Sequence, residues 1–432
     1  MKSLSTLALA ATLAAGLGTV AVTQPALAAK KEEAKPGMKL SPDFVKAEKP
    51  AQDALNAKNF AAAEPLVAQT EAAAKSDDEK YVAAQFRLTL ISGQLTAAQD
   101  AGGGRAAANE TALIAPLDAL IANPVAPPAD KARYQYLRGS LTFNSKQPAQ
   151  ALPFLLAARQ AGYVDARDPG NLDLMIAQAK MDSGDLAGGA ADFEQVVTKA
   201  QAAGKPAPET YYKYVISRAS RAKDKPLTLT WLNRYVKAYP SPQTWHDVLV
   251  TYGLSSPSVD VLDKGQRIDL YRLLHDTKGL SDQSLYQEYA QDLVDRGLPT
   301  EAEAVLKEGQ ASGKLAAGKA LTDALRQAST QARAEGSLAP LEAKARNAAD
   351  GKLAAQTADG YLSQGNNAKA ADLYKVALSK GGVNADEVNT HLGIALSRSG
   401  DKAGAAAAFA NVKTGVRGDL ASFWSTWVST QA

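Results

Sequence analysis

The sequence predicts an all-α protein built from successive helical hairpins. Apolar and small residues recur at helical spacing in residues 386–412, where Gly400-Asp401 separates one predicted helix from the next. Comparable units joined by short turns follow one another from residue 43 to residue 412. The apolar share of 46% leans on alanine and only 6% of residues are aromatic, which disfavours sheets. A stacked array can reach 432 residues without one large core.

The amino end predicts export. Residues 1–28 have the pattern of a cleavable signal peptide: Lys2, an apolar run over residues 4–22, and a small-residue cleavage site at Ala26-Leu27-Ala28. Residues 29–42 predict a flexible charged leader. We therefore expect a periplasmic protein with no transmembrane span after cleavage. Secretion, or anchoring by an uncleaved leader, is the alternative.

Composition excludes several classes of function. The chain has no cysteine, which rules out disulfides, thiolate metal sites, cysteine nucleophiles and a lipid-carrying cysteine. Its formal net charge of +3 is too close to balance for a nucleic-acid-binding protein, which needs a concentrated basic footprint.

The first part of the predicted array contains its least regular stretch. A turn is expected at residues 56–59, and the next unit is expected to turn at Gly93. Residues 100–129 predict an irregular insertion that carries one helix over residues 113–122. Its Gly102–Gly104 run lacks the strand and helix of a cofactor loop and is interpreted as a linker.

Regularity returns after the insertion. Further turns are predicted at residues 145–147, Gly184, residues 223–225, Gly297, Gly336, Gly365 and Gly400. Residues 241–279 predict two helices without the small-residue pattern of the other units. Residues 413–432 carry Phe423, Trp424 and Trp427 at helical spacing and predict a C-terminal capping helix, with a docking surface as the alternative.

The clearest unit, residues 386–412, places Gly393, Ala405 and Phe409 where two helices approach. This pattern resembles the tetratricopeptide repeat, and the resemblance extends over about nine hairpins. It implies a right-handed superhelical solenoid of antiparallel helix pairs, with a concave groove that binds peptides or protein segments. One subclass grips a carboxyl-terminal peptide with recurring lysine and asparagine residues. The corresponding stripe here departs from that pattern: Lys213, Ser217, Ser220 and Arg221.

No pattern in the chain predicts catalysis. His246, His275 and His391 are far apart and match no metal-binding spacing, so they are interpreted as surface or packing residues. A nucleophile elbow and a phosphate-binding loop are both absent from the sequence. Paired carboxylates such as Asp292 and Asp295 suit solvated helix faces. We expect no cofactor, no metal and no enzymatic activity.

Charge is unevenly distributed only in residues 205–239, which contain eight basic and two acidic residues and so carry a net charge of +6. Tyrosine and tryptophan are interleaved with them, and arginine and aromatic residues dominate binding hot spots. The alternative is that the rings pack in the core while the lysines form a solvated face. The candidate partner-binding residues are Tyr136, Lys213, Arg218, Arg221, Trp231 and Arg234.

Together these observations predict a noncatalytic periplasmic scaffold or adaptor that binds protein or peptide segments. Two alternatives stay open. The basic aromatic segment would also suit a protein that binds an anionic cell-envelope polymer or glycan, and residues 241–279 would be the place for catalytic groups in a helical subunit of an envelope enzyme.

Overall fold

A computed structural model describes residues 37–100, 110–168 and 170–431. Within these ranges the regular elements are all helices, and no strand is present, so the predicted all-α class is confirmed. The predicted signal peptide, the leader up to residue 36 and the Gly102–Gly104 linker lie outside the described residues.

The chain divides into two compact units, unit 1 over Met1–Ala203 and unit 2 over Gly204–Ala432. The described helices of unit 1 are α1 (Pro42–Asn56), α2 (Phe60–Ala73), α3 (Asp77–Asp100), α4 (Ile114–Ala122), α5 (Pro128–Asn144), α6 (Pro148–Gln160), α7 (Asn171–Asp182) and α8 (Leu186–Ala202). A 3-10 turn, Glu110–Leu113, precedes α4.

Unit 2 contains the remaining helices and one π-helical turn, Val250–Leu254. Its helices are α9 (Glu209–Arg221), α10 (Lys225–Ala238), α11 (Pro242–Leu249), α12 (Lys264–Asp276), α13 (Gln283–Asp295), α14 (Pro299–Ala311), α15 (Lys319–Glu335), α16 (Ala339–Asn347), α17 (Lys352–Ser363), α18 (Asn367–Lys380), α19 (Ala385–Arg398), α20 (Lys402–Ala410) and α21 (Gly415–Thr430).

Seven helix pairs whose turns the sequence predicts share one turn geometry, which also follows α6, α12 and α14 at Gly162, Lys278 and Gly313. After the first helix of each pair, one residue adopts a positive φ: Lys58, Lys146, Gly184, Lys223, Gly297, Gly365 and Gly400. The N–H of the next residue then donates back to a carbonyl five positions earlier, at 2.8–3.2 Å. This left-handed cap satisfies carbonyls at the helix end and reverses the chain within a few residues. The sequence predicts all seven of these turns.

The prediction of a turn at Gly93 is wrong. Gly93 lies inside α3, which continues without a break to Asp100. A Cβ at this position would come within 2.3 Å of the Phe60 ring, so glycine serves a close side-chain contact here instead of a chain reversal.

Small residues lie at the helix crossings, as the sequence predicts. A Cβ on Gly393 would approach the Phe409 ring to 2.4 Å. Ala370 and Ala405 are fully buried, whereas Ala403, two residues before Ala405 and therefore on the opposite side of α20, is exposed. The spacing of small residues therefore identifies the packed face of these helices.

The less regular units use other packing. Helix α12 is buried on nearly all sides, including its charged residues Asp269 and Arg272. Helix α15 ends at Gly336 with φ +68°, as predicted, and packs mainly on α14. Across the described ranges, no helix is both long and apolar enough to cross a membrane.

Candidate binding site

A cavity of about 950 Å³ lies in unit 2, between α9, α10, α11 and the segment 250–259. The stripe of α9 that the sequence predicts to face inward does line it: Lys213, Ser217, Ser220 and Arg221. The volume lies within the range of ligand-binding clefts. This cavity is the structural counterpart of the predicted basic segment.

Basic side chains outnumber acidic ones among the residues that line the cavity. Lys213, Arg221, Lys223 and Lys225 line it, whereas Asp247 is the one carboxylate among its described lining residues. Arg221 and Lys223 are exposed and form no ion pair with any described residue. Two cations are therefore available to an incoming anion without the loss of an existing ion pair.

Lys213 is held near the cavity by two neighbours. Its Nζ lies 3.0 Å from Glu209 Oε2 and 5.4 Å from the centroid of the Tyr235 ring. Hydrogen bonds with Tyr235 and with Glu209 raise the pKa of Lys213 above its usual value. The ion pair with Glu209 is exposed, and exposed pairs contribute little, so a ligand carboxylate can replace Glu209 at small cost.

Lys225 already binds carboxylates in this wall. Its Nζ lies 2.5 Å from Asp260 Oδ2 and 2.8 Å from Asp419 Oδ2, and Asp419 also accepts from the Tyr252 hydroxyl at 3.0 Å. Asp419 belongs to α21, so this contact connects the cavity wall with the C-terminal helix.

The lining between the cations is largely apolar. Ile216, which is 9% exposed, lies between Lys213 and Arg221 along α9. The half-buried Val250 and Val259 also line the cavity, as do Leu232 and Val248, which are each 1% exposed. An apolar surface flanked by cations suits a ligand that combines apolar and acidic groups.

The structure does not bring all candidate residues together. Trp231 is 1% exposed and lies in the core, with the Arg234 Cζ 5.2 Å from its ring centroid. The Arg218 Cζ lies 4.8 Å from the Tyr214 ring centroid. Trp231, Arg218 and Arg234 are not among the lining residues of the cavity.

Tyr136 belongs to unit 1, where it is 4% exposed. Its ring stacks on Tyr163 at 4.6 Å, and its hydroxyl donates to Asp165 Oδ2 at 3.2 Å and accepts from Asn171 Nδ2 at 2.8 Å. These contacts explain the residue as part of the unit 1 core, and its role in partner binding stays a prediction.

The C-terminal helix α21 has more contacts than a terminal cap requires. It packs on α20 and α19, as a cap would, and also on α10 and α12. Phe423 and Trp424 are fully buried, the Trp424 indole N–H donates to the Asp269 carbonyl at 3.3 Å, and Thr426 Oγ1 donates to Asn233 Oδ1 at 2.9 Å. This helix therefore joins the first and last helix pairs of unit 2.

A buried ionic network lies beneath α21. The Arg417 guanidinium donates to Asp269 Oδ2 at 2.8 Å. His391 lies between two carboxylates, with Nε2 3.1 Å from Asp269 Oδ1 and Nδ1 2.8 Å from Asp359 Oδ1. Burial alone would lower the pKa of His391, but the charges of Asp269 and Asp359 outweigh it and raise the pKa to about 10.

The other two histidines also have structural partners. His246 lines the cavity, but its Nδ1 lies 3.0 Å from the Gly279 carbonyl and its Nε2 lies 3.3 Å from Asp282 Oδ2. The His275 Nε2 lies 2.6 Å from Glu308 Oε2. In the described part of the chain, no group of three or more acidic or histidine side chains is placed to hold a metal ion.

Sequence reasoning missed the network and the reach of α21. One signal was present: Asp269 and Arg272 interrupt an otherwise apolar run in α12, and a helix that is apolar all round is a buried one. Charged residues in such a helix must find partners inside the protein.

The chain matches no protein-family profile and no curated protein sequence. Solved structures similar to it include a pentatricopeptide repeat protein, PPR10 from maize (15% identity, TM-score 0.30), which covers 86% of this chain, while the chain spans about half, 49%, of that protein. The APC/C hetero-tetramer Cut9-Hcn1 is similar at 13% identity and a TM-score of 0.18, and the match covers 85% of this chain and 86% of that chain.

A circular tandem repeat protein is also similar (12% identity, TM-score 0.12), over 89% of this chain and 94% of its own. The maize protein and the circular protein are repeat proteins by their names. At TM-scores this low, the fold assignment rests on the helix pairs themselves and not on the likeness.

Proposed function

We propose that this protein is a noncatalytic binding protein that holds a segment of another protein in the cavity formed by α9, α10 and α11. The carrying observation is that this cavity combines an apolar lining with cations, two of which have no ion pair among the described residues. Helix α21 occupies surface of α10, α12, α19 and α20, whereas no residue of α21 lines the cavity.

The polymer-binding alternative has less support. Sugars bind to exposed aromatic faces, but the rings of the basic segment pack on one another. Tyr212 lies 5.8 Å from Tyr235 and 5.9 Å from Trp231 between ring centroids, and all three rings are buried. The cations alone favour an anionic ligand without favouring a glycan.

Photocrosslinking in intact cells tests the proposal. A photoreactive amino acid at Ser217, an exposed residue in the cavity lining, should capture a specific protein. The matched control is Thr230, an exposed residue of α10 outside the lining, which should capture none of it. Identical adducts at both positions, or only glycan or lipid at Ser217, would contradict the proposal.

Export to the periplasm belongs to the same proposal. It rests on the leader pattern in residues 1–28, which the described ranges do not include. Mass spectrometry of the protein purified from the periplasmic fraction should find a chain beginning at Ala29. Recovery of the intact leader in the cytoplasm would contradict export.

A further inference from the structure

We infer that the cavity of α9–α11 selects an internal peptide segment with two acidic side chains four residues apart and an apolar side chain between them. The inference rests on the proposed function and names the chemistry of its partner. It follows from the positions of the cations and of the apolar residues along α9.

The two ends of the cavity along α9 are cationic. Lys213 and Arg221 are eight residues apart in the same helix, which corresponds to about 12 Å along its axis. Lys223 follows Arg221 and adds a second cation at that end. A ligand that meets both ends needs two negative groups about 12 Å apart.

The apolar lining defines what lies between these groups. Ile216 of α9, which is 9% exposed, lies between the cationic ends of the cavity, and the half-buried Val250 and Val259 add apolar surface to the lining. An extended peptide rises about 3.3 Å per residue, so acidic side chains at positions 1 and 5 are separated by about 13 Å. In that conformation the side chains at positions 1, 3 and 5 share one face, which places an apolar residue at position 3 over Ile216.

The cavity wall already shows this kind of recognition within the chain. Lys225 holds the carboxylates of Asp260 and Asp419, and Asp419 is presented by a helix that packs against α10. An acidic partner segment would use the neighbouring cations in the same way. Once the segment covers the cavity and excludes water from these cations, the pairs are less screened than the exposed pair of Lys213 with Glu209, and charge-assisted hydrogen bonds of this type are then strong.

Binding of synthetic peptides to the full chain tests this. The probe is a fluorescent Glu-Ser-Leu-Ser-Glu peptide with both ends blocked, so that only side chains carry charge. We expect three changes to weaken binding about tenfold each: replacement of both glutamates by glutamine, replacement of leucine by serine, and a shift of the second glutamate to position 4, which keeps the leucine in place. Equal binding of the glutamine peptide would overturn the inference.

Protein variants provide the second arm. Arg221→Glu and Lys213→Glu should each weaken the acidic probe about tenfold and weaken the glutamine peptide little. Lys237→Glu is the matched control, since it makes the same charge change at an exposed position of α10 outside the lining. An equal loss in Lys237→Glu would show that only overall charge matters and would overturn the inference.

The outcomes separate this inference from the proposed function. A protein captured at Ser217 through a segment without acidic residues would refute the selection of acidic segments while supporting the proposed function. The absence of any protein at Ser217 would refute both.

Discussion

At the scale of single residues, most of the buried charge among the described residues lies in unit 2. Asp269 is fully buried, and Arg272, at 1% exposure, binds Glu301 through two hydrogen bonds of 2.7 and 3.0 Å. Removal of one partner from such a network leaves an uncompensated charge in a medium that solvates it poorly, which costs more than the pair itself contributes. His391 is the member whose charge depends most directly on pH.

The raised pKa of His391 predicts that this part of the stability falls as pH rises. Its folded pKa is about 10, against 6.5 for an ordinary histidine, so the folded state keeps a proton that the unfolded state releases between these values. The contribution of His391 is complete below about pH 6.5 and is lost as pH rises through about 10.

We therefore expect His391→Gln to lower the free energy of unfolding by about 3–5 kcal/mol at pH 6.5 and by much less at pH 10. Urea unfolding of both proteins at the two pH values measures this. A difference that stays constant between pH 6.5 and pH 10 would show that the imidazolium charge is not what stabilises the site.

At the scale of the helix pair, two devices recur: a left-handed residue that ends the first helix, and a small residue where the helices cross. In the last pair, Gly400 has φ +83° and Gly393 lies against Phe409. The first device needs a residue that tolerates a positive φ, which is glycine at four of the seven turns and lysine at the other three. The second needs a small residue because the two helices approach closely.

Overpacking of the crossings tests this arrangement. Ala405→Leu and Ala370→Leu should each destabilise the protein by about 1–3 kcal/mol, because both alanines are fully buried at their crossings. Ala403→Lys should change stability little, since Ala403 is exposed. Thermal unfolding of the three variants distinguishes them, and equal shifts would show that the assigned helix faces are wrong.

At the scale of the whole molecule, each unit has buried residues of its own, and in unit 2 the C-terminal helix joins distant helix pairs. Arg417 and Trp424 of α21 reach Asp269 in α12, and Thr426 reaches Asn233 in α10. Without α21, Asp269 would lose a cationic partner and apolar surface of unit 2 would be exposed to water.

A chain that ends at residue 412 should therefore show a lowered melting temperature for unit 2 and increased binding of a hydrophobic dye, while the transition of unit 1 stays in place. Differential scanning calorimetry of the full chain and of the shortened chain measures this.

Single substitutions in α21 test the same packing. Trp424→Ala should lower the free energy of unfolding by about 3–5 kcal/mol, and Trp427→Ala, at a half-buried position, is its matched control. Equal shifts from both would argue against the buried role of Trp424.

The sequence by itself determined the helices and the seven shared turns, because these depend on local chemistry: apolar periodicity, capping residues, and residues that tolerate a positive φ. It also identified Lys213 and Arg221 as facing inward, since their spacing puts them on one side of α9. Gly93 was misjudged because glycine serves a turn or a close contact equally well, and only the position of Phe60 distinguishes the two.

Only the tertiary structure decided which distant elements meet. His391 and Asp269 are 122 residues apart, and Thr426 and Asn233 are 193 residues apart. Such contacts depend on small rotations that accumulate over several helix pairs, and no local pattern records their sum. The sequence also left two interpretations of Trp231, as a binding residue or as a core residue, and only its packing against Tyr212 of the neighbouring helix places it in the core.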